Sequence, residues 1–452
     1  MATQINVSDL IDQQRVGKPH IIMTVCCFVL IFLDGFDTLA LGVVAPALSK
    51  ALNIEKSALG PIFSAGVVGL MLGHFIFGGL ADRIDRKYIL IACTAGFGIT
   101  SLLMTTVGST SGLLVVRFLT GLGLGAALPN TVALLVEYSP RHARATLTAT
   151  MNTGLAAGAA AGGLVAAWLV PSFGWQSVFY VGGFAPLLIL PILMVGLPRS
   201  VSLLVLKKRP DAEIARLLTT TFPKLRFEPH SHFRLFDETS GGLPVLKLFG
   251  DGRALMTALV WVCFICTYTD LVFLQSWLVI IVNNAGVAVS HSALAAAAFQ
   301  IGGICGGVSM GLLCDRFGFG RVLGLGFIVT GALMLVIGWA GSSLQLMFAA
   351  VFFTGLLFIG GIVCLHVFAG SLYPPSMRSS SLGWAMGVGR FGSIAGPLIG
   401  GALIASNLSG VALFAFAAVP SFVTGIVIYA ISRFRRLPDY EIARPSLAVG
   451  KV

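Results

Sequence analysis

Two carboxylates, Asp34 and Asp37, lie within an otherwise almost wholly apolar stretch that runs from about residue 20 to residue 48. On a helix, side chains three residues apart share one face, so both acids can act on the same cavity. A charge at the centre of a membrane-spanning helix costs about 2.5–3.5 kcal/mol on insertion scales. We therefore expect these acids to have a function inside the membrane or to be held by a buried cation.

Arg117 can supply that cation. By helical rise, Arg117 in the fourth apolar run lies at the same depth as Asp34 in the first, which predicts an ion pair between them. An arginine keeps its charge and holds a neighbouring carboxylate ionised, so the second acid can carry a proton. Asp34, Asp37 and Arg117 are thus the predicted proton-coupling residues. The sequence leaves open which acid carries the proton, and whether the Asp34–Arg117 pair is only structural.

Arg390 lies about half-way along the eleventh apolar run, after two glycines that permit close approach. The fork of a guanidinium matches the two oxygens of a carboxylate. We expect Arg390 to bind the carboxylate of a substrate or to neutralise Asp270, and the two roles are not exclusive. The predicted binding site also contains residues that can contact a ring, meet a ring hydroxyl or join helices: Trp384, Tyr268, Asn152, Gln300 and Asp270.

The composition identifies the environment of these residues. Of the 452 residues, 56% are hydrophobic and 10% are charged, which is typical of an integral membrane protein rather than a water-soluble enzyme. The net charge of +11 comes from short basic segments between apolar runs, which argues against a nucleic-acid partner. The eight cysteines lie in or beside apolar runs, and the sequence presents no nucleophile–base group or metal-ligand cluster. No cofactor, metal or catalytic site is therefore expected.

Twelve apolar runs are long enough to cross a bilayer of ~30 Å as helices. The predicted fold is an all-α integral membrane protein with twelve transmembrane helices in two six-helix bundles. We divide the chain into an N-terminal tail, a first bundle, a central linker with a short helix near 211–219, a second bundle and a C-terminal tail: 1–18, 19–197, 198–252, 253–434 and 435–452. Lys and Arg concentrate in the tails, the linker and alternate loops, which places both termini in the cytoplasm.

The two halves repeat one another in sequence. Asp37 in the first half and Asp270 in the second are 233 residues apart, and two pairs of loop motifs repeat at offsets of 233 and 234 residues. Those motifs are Gly78-x-x-x-Asp82-Arg83 with Gly311-x-x-x-Asp315-Arg316, and Pro140-x-x-x-Arg144 with Pro374-x-x-x-Arg378. Two parallel repeats with polar groups between them near the bilayer midplane are typical of a secondary transporter that rocks one half against the other.

Charged residues at the cytoplasmic ends of the spans form a predicted gate. Glu137 ends the fourth span, where a helix C-terminus disfavours an anion, so it needs a cation such as Arg83, Arg86 or Arg144. Such pairs can form and break as the halves rock. The complete predicted gate consists of Asp82, Arg83, Arg86, Glu137, Arg144, Asp315, Arg316 and Arg378.

The loop GGLADRIDRK, which begins at Gly78, resembles the loop between helices 2 and 3 of the major facilitator superfamily, with Asp85 in place of the usual glycine. Three further stretches together resemble the aromatic acid:proton symporters of that superfamily, over essentially the whole chain. They are DGFD in the first span, RFLTGLGLGAALPN and EYSP around the fourth, and YPPSMR with GVGRFGSIAGPLIGG at the eleventh. The resemblance implies the major facilitator fold and uptake of an aromatic carboxylate with protons.

We therefore predict a proton-coupled symporter that imports a small aromatic carboxylate, of the hydroxybenzoate, gallate or benzoate type, across the bacterial inner membrane by alternating access. Its expected partners are that acid, protons and the lipid bilayer, without an obligate protein partner. One alternative is a proton antiporter that exports drugs or metabolites, although the pattern typical of such exporters has a proline in the fifth span where Ala159 stands here. Another is a transceptor whose linker or C-terminal tail binds a signalling partner.

Overall fold

The computed structural model describes residues 4–434 apart from 82, 224, 228–230, 235–247, 251, 341–342, 374–376 and 407, and only the backbone of residues 379 and 434. Two predictions fall outside the described residues: Asp82 of the gate, and the C-terminal tail 435–452.

The first half of the chain opens with a short strand and a short helix, β1 (Gln4–Asn6) and α1 (Val7–Asp12). Its long helices are α2 (Lys18–Leu52), α3 (Leu59–Leu80), α4 (Arg86–Leu103), α5 (Thr110–Leu124), α6 (Ala127–Tyr138), α7 (Arg144–Phe173) and α8 (Gln176–Gly196). The linker forms α9 (Val201–Leu206), α10 (Asp211–Thr221) and a second strand, β2 (His232–Arg234), so its predicted short helix is present. The second half consists of α11 (Ala254–Asn284), α12 (Val289–Phe317), α13 (Phe319–Trp339), α14 (Leu344–Ser371), α15 (Arg378–Ala405) and α16 (Gly410–Phe434).

Eleven helical segments of the described chain are long and apolar enough to cross a membrane. The predicted twelfth span corresponds to α4, whose 18 residues begin with Arg86 and Lys87 and which packs against α5 and α8. At about 1.5 Å per residue α4 measures about 27 Å, close to the thickness of the hydrocarbon core. The prediction of a helical, multi-pass membrane protein with two bundles is confirmed.

The predicted fourth span, 111–138, is divided into α5 and α6 by a local break. Pro129 in the first turn of α6 has no N–H to bond the carbonyl of Gly125, which interrupts the helical hydrogen-bond ladder there. Side chains satisfy neighbouring carbonyls, since Asn130 Nδ2 donates to the Ala126 oxygen at 2.8 Å and Thr131 Oγ1 donates to the Ala127 oxygen at 2.6 Å. The break is thus stabilised by the residues that follow the proline.

A two-stranded parallel sheet, which the sequence analysis missed, joins the N-terminal tail to the linker. Strand β1 pairs with β2, with Ile5 opposite Phe233. The linker end of this pair is held by Asp211 at the start of α10, because its Oδ1 accepts from the Phe233 N–H at 3.1 Å and its Oδ2 contacts His232 Nδ1 at 2.7 Å. The Phe233 N–H lowers the pKa of Asp211 below its usual value. Tail and linker therefore pack together on the first half.

The two halves touch each other on one side of the membrane. We call the surface that carries the linker the linker side, and the opposite surface, which carries the turn at Lys56, the distal side. On the distal side Lys56 Nζ donates to Asn284 Oδ1 at 2.5 Å, and Ser64 Oγ donates to the Ile394 carbonyl at 3.0 Å. Across the described residues, the hydrogen bonds and ion pairs between the halves lie only at such distal positions. The halves are therefore closed distally.

Helices α7 and α12 show the same asymmetry along their length. Near the distal end of α7, a Cβ on Gly163 would lie 3.0 Å from the Ala293 carbonyl oxygen of α12, so the two helices are in close contact. Asn152 lies three turns nearer the linker side on almost the same face of α7, and its side chain is exposed. The facing helices therefore diverge toward the linker side.

Candidate substrate and proton site

The buried cation of the first half pairs with Asp37. Arg117 Nη1 lies 2.6 Å from Asp37 Oδ2, and Arg117 Nη2 donates to the Asp37 carbonyl at 3.1 Å. The two side chains are only 10% and 2% exposed. The predicted Asp34–Arg117 pair was therefore wrong, because helical rise gives depth but not direction. Although Asp34 and Asp37 share one face of α2, their side chains point about 60° apart around the helix, and Arg117 meets Asp37.

The position of Arg117 depends on a glycine of α3. A Cβ on Gly66 would lie 3.1 Å from Arg117 Cγ and 3.1 Å from Nε, so the arginine side chain passes directly over the glycine backbone. This close approach directs the guanidinium from α5 across α3 to α2. The ion pair consequently ties three helices of the first half together, and a larger residue at position 66 would displace it.

Asp34 has no cation at hydrogen-bonding distance in the described chain. Its side chain is buried, and its one side-chain hydrogen bond comes from Thr38 Oγ1 at 3.4 Å, which is long for an O–H···O contact. The charges that act on it include its neighbour Asp37 and Arg390 of the second half. Asp34 is therefore the acid of the pair that makes no ion pair within the described chain.

Arg390 faces the first half from α15. It lies one turn from Ile394, whose carbonyl accepts from Ser64 of α3, and its charge acts on Asp34 and on His74 of α3. The Arg390 guanidinium carbon lies 5.8 Å from the centroid of the Tyr268 ring. Within the described residues Arg390 makes no ion pair, so its fork is available to a ligand.

The alternative that Arg390 neutralises Asp270 does not fit the structure. Asp270 is 1% exposed and accepts a hydrogen bond from Ser421 Oγ at 2.6 Å, within the packing of α11 against α16. The described chain places no cation in contact with this carboxyl. Asp270, which we predicted as part of the binding site, thus lies inside the second half rather than between the halves.

Aromatic rings line α11 beside Arg390. Tyr268 stacks on Phe264 with ring centroids 6.2 Å apart, and its hydroxyl lies 3.4 Å from His366 Nε2. Trp384 is 44% exposed and lies about one third of a turn away from Arg390 around α15. Tyr268 is therefore the predicted aromatic residue that directly adjoins the arginine, whereas Trp384 projects from a different face of the helix.

Two polar side chains of the predicted site differ in exposure. Asn152 is exposed where α7 diverges from the second half. Gln300 of α12 is 2% exposed, and its Nε2 has no hydrogen-bond partner among the described residues. An unsatisfied buried amide is unusual in a native protein, so Gln300 has hydrogen-bonding capacity left for a ligand.

His74 of α3 is a buried histidine that was not among the predicted site residues. Its Nδ1 lies 2.7 Å from the Leu70 carbonyl, while its Nε2 is buried and without a hydrogen-bond partner in the described structure. The ring lies on α3, which packs against α15, the helix that carries Arg390. The available signal in the sequence was a single histidine within an apolar run.

The predicted gate residues form contacts within each half. Glu137 accepts from Arg86 at 2.7 Å, from the Ser200 hydroxyl at 2.9 Å and from the Ser202 N–H at 2.6 Å. Arg86 is thus the cation that Glu137 requires. Arg144 bonds Asp12 at 3.3 Å instead.

The remaining described gate residues do not bridge the halves. Arg83, Asp315 and Arg316 are exposed, and Arg316 lies over the adjacent Phe317 ring. Arg378 donates to the Tyr373 carbonyl at 3.3 Å. In this structure the linker-side charges therefore stabilise the individual halves.

Two helical bundles that enclose ionisable groups at membrane depth define a secondary transporter rather than an enzyme. The Major Facilitator Superfamily model matches residues 27–265 and again residues 260–448. The chain is 33% identical to a gallate transporter of Pseudomonas putida over 98% of both chains, and 33% identical to a 4-hydroxybenzoate transporter of the same species over 88% of this chain and 90% of that one. The chain therefore belongs to the Major Facilitator Superfamily, in its aromatic acid:proton symporter family, as the motifs predicted.

Solved structures show the same fold. A D-xylose–proton symporter matches with a TM-score of 0.68 and 17% identity, covering 92% of this chain and 96% of the other. A second match has a TM-score of 0.66 and 15% identity, and covers 92% of this chain and 96% of the other. It is a bacterial homologue of the human lysosomal transporter Spinster in an inward-facing and unoccupied conformation.

Proposed function

We propose that this protein is a proton-coupled symporter that imports a small aromatic carboxylate of the hydroxybenzoate, gallate or benzoate type. The observation that carries the proposal is the unpaired guanidinium of Arg390, which faces the first half at membrane depth beside the ring of Tyr268. The names of the relatives support the choice of substrate, since they include transporters of gallate, 4-hydroxybenzoate and benzoate.

Binding of an aromatic acid uses the two chemical features of this site. The carboxylate replaces its hydration with the bidentate donors of Arg390, and the ring packs against Tyr268. Gln300 and His74 each offer a polar nitrogen with no partner in the described chain, to which a ring hydroxyl can hydrogen-bond. The substrate site is thus shared by the two halves.

Proton coupling is assigned to Asp34. Asp37 is committed to Arg117 by the 2.6 Å contact, whereas Asp34 is buried without a contacting cation and is subject to the charge of Arg390. A bound carboxylate weakens the effect of Arg390 on Asp34 and favours its protonation. Proton and substrate would then bind together, which is the requirement for symport.

Alternating access follows from the asymmetric contact between the halves. We assign the linker side to the cytoplasm of a bacterial inner membrane because of its excess of Lys and Arg. The distal contacts then close the periplasmic side, and the structure corresponds to an inward-facing state. Two units rock against each other: residues 19–197 together with the linker 198–252, and residues 253–434. The charged residues at their cytoplasmic ends form the gate in the opposite, outward-facing state.

The substrate role of Arg390 is tested by comparing an aromatic acid with its neutral amide. The variant Arg390→Lys keeps the charge but loses the bidentate fork, so we expect binding of 4-hydroxybenzoate to weaken by at least tenfold. The amide 4-hydroxybenzamide should bind weakly to both proteins. Binding of the acid to Arg390→Lys with wild-type affinity would refute the assignment, and the conservative change Arg321→Lys at an exposed linker-side position serves as the control.

A further inference from the structure

A cavity of about 240 Å³ lies on the linker side of the first half, outside the proposed transport site. It is formed where the loop between α3 and α4 meets α9 and the start of the linker. We call it the linker cavity. Four basic residues and a single acid, Asp85, are among the residues that line it, the basic ones being Arg83, Arg199, Lys207 and Arg209.

The acid of the linker cavity is already neutralised. Asp85 Oδ2 lies 3.2 Å from Arg199 Nε, and its Oδ1 accepts from the N–H groups of Lys87 and Ser200 at 3.1 and 3.2 Å. Arg199 also pairs with Glu213 at 2.7 Å. Asp85 and Glu213 therefore both pair with Arg199 in one structural network, and among the described residues the three other cations of the cavity have no ion pair.

Those three cations are held close together by the backbone. Lys207 Nζ donates to the Arg83 carbonyl at 2.5 Å, which joins the end of α9 to the loop after α3. Lys208 has a positive φ of 50°, and this turn allows the Arg209 N–H to bond the Leu204 carbonyl at 3.0 Å. The side chains of Arg83 and Arg209 make no ion pair among the described residues. The concave surface thus carries three cations that form no ion pair with any residue the structure describes.

The rim of the linker cavity is apolar and exposed. Ile84 and Tyr88 are 43% and 52% exposed, and they lie at the end of the spans where the headgroup region of a bilayer begins. Exposed aliphatic and tyrosine side chains next to lysine and arginine are typical of surfaces that contact lipid headgroups. The rim therefore suits a ligand that carries both an anionic group and acyl chains.

We propose that the linker cavity binds a phosphate ester. Three cations arranged around a concavity match the several oxygens of a phosphate group, and arginine forks bind such groups bidentately. An anionic phospholipid is the source that the apolar rim favours, while a soluble phosphate ester would offer the same oxygens without the chains. Occupancy would hold the linker against the first half, because the ligand would bridge Arg83 of the α3–α4 loop and Arg209 beyond α9.

The test measures ligand binding to the purified full-length protein by native mass spectrometry. The probes are a short-chain phosphatidylglycerol, the matching phosphatidylcholine and glycerol 3-phosphate. The triple variant Arg83→Gln/Lys207→Gln/Arg209→Gln removes the three cations without an ion pair in the described chain and leaves Arg199 in its ion pairs. The control variant Arg15→Gln/Arg321→Gln/Arg433→Gln removes the same number of exposed charges from linker-side positions outside the cavity.

Phosphatidylglycerol should bind to the wild type and to the control variant with similar affinity. At about fivefold per cation near a membrane surface, the triple variant should bind it on the order of a hundredfold more weakly. Equal binding of glycerol 3-phosphate with the same dependence on the three cations would support the site and identify the ligand as soluble. Equal losses in the triple and control variants, or no loss in either, would overturn the proposal.

Discussion

Replacing Asp37 with asparagine is expected to destabilise the protein far more than the same change at Asp34. The Asp37–Arg117 pair is buried, with a 2.6 Å contact and side chains that are 2% and 10% exposed. Removing one partner of such a pair leaves the other charge unpaired in a low-dielectric interior and typically costs about 3–5 kcal/mol. Asp34 accepts one long hydrogen bond, from Thr38 at 3.4 Å, so its replacement should cost about 1 kcal/mol or less.

The free energy of unfolding of each purified variant, measured by denaturant titration in detergent, distinguishes the two acids. Asp37→Asn should lose about 3–5 kcal/mol, and the double variant Asp37→Asn/Arg117→Met should recover most of that loss because it leaves no unpaired charge. Asp34→Asn should stay within about 1 kcal/mol of the wild type. Equal losses at Asp34 and Asp37, or no recovery in the double variant, would refute the reasoning.

The two acids should also differ in transport. Asp34→Asn is expected to retain exchange of labelled for unlabelled substrate while losing accumulation driven by a pH gradient, since it removes the proposed proton site but keeps the fold. Two further changes test the packing around the site. Glu137→Gln should increase proteolytic cleavage of the linker, because it breaks the 2.7 Å pair with Arg86, and cleavage at the wild-type rate would contradict this role. Gly158→Ala should reduce the yield of folded protein in size-exclusion chromatography, because the added Cβ would overlap the Phe32 carbonyl oxygen. The control is Gly96→Ala, whose Cβ would meet no atom within 4 Å. Equal yields of the two variants would contradict this contact.

Hydropathy was sufficient to predict most of the fold, because a helix that crosses a bilayer must bury its backbone hydrogen bonds and expose apolar side chains. The pairing of β1 with β2 was not predictable in this way. Each strand has three residues, and the pair depends on Asp211 and on the packing of the tail, which are tertiary contacts. The break between α5 and α6 did have a local signal in Pro129.

The candidate site residues were chosen for their polarity within apolar runs, but the residues with which they pair could not be predicted in this way. Depth along a helix suggested that Arg117 pairs with Asp34, whereas the direction in which Arg117 crosses Gly66 selects Asp37. The cation that pairs with Glu137 was narrowed to three arginines, and packing selected Arg86. His74 was not among the predicted site residues, because the unpartnered state of its buried Nε2 is a tertiary feature that the sequence does not show.

Substrate-induced proton entry tests the central claim most directly. The purified protein is reconstituted into liposomes that contain a pH-sensitive dye, and an aromatic acid such as 4-hydroxybenzoate or gallate is added outside without a pH gradient. With the wild-type protein, rapid acidification of the lumen is expected. The Asp34→Asn protein should produce no acidification beyond passive diffusion of the acid, for which it serves as the control. Uptake of labelled substrate at equal rates by both proteins, without acidification beyond that of protein-free liposomes, would contradict proton-coupled symport through Asp34.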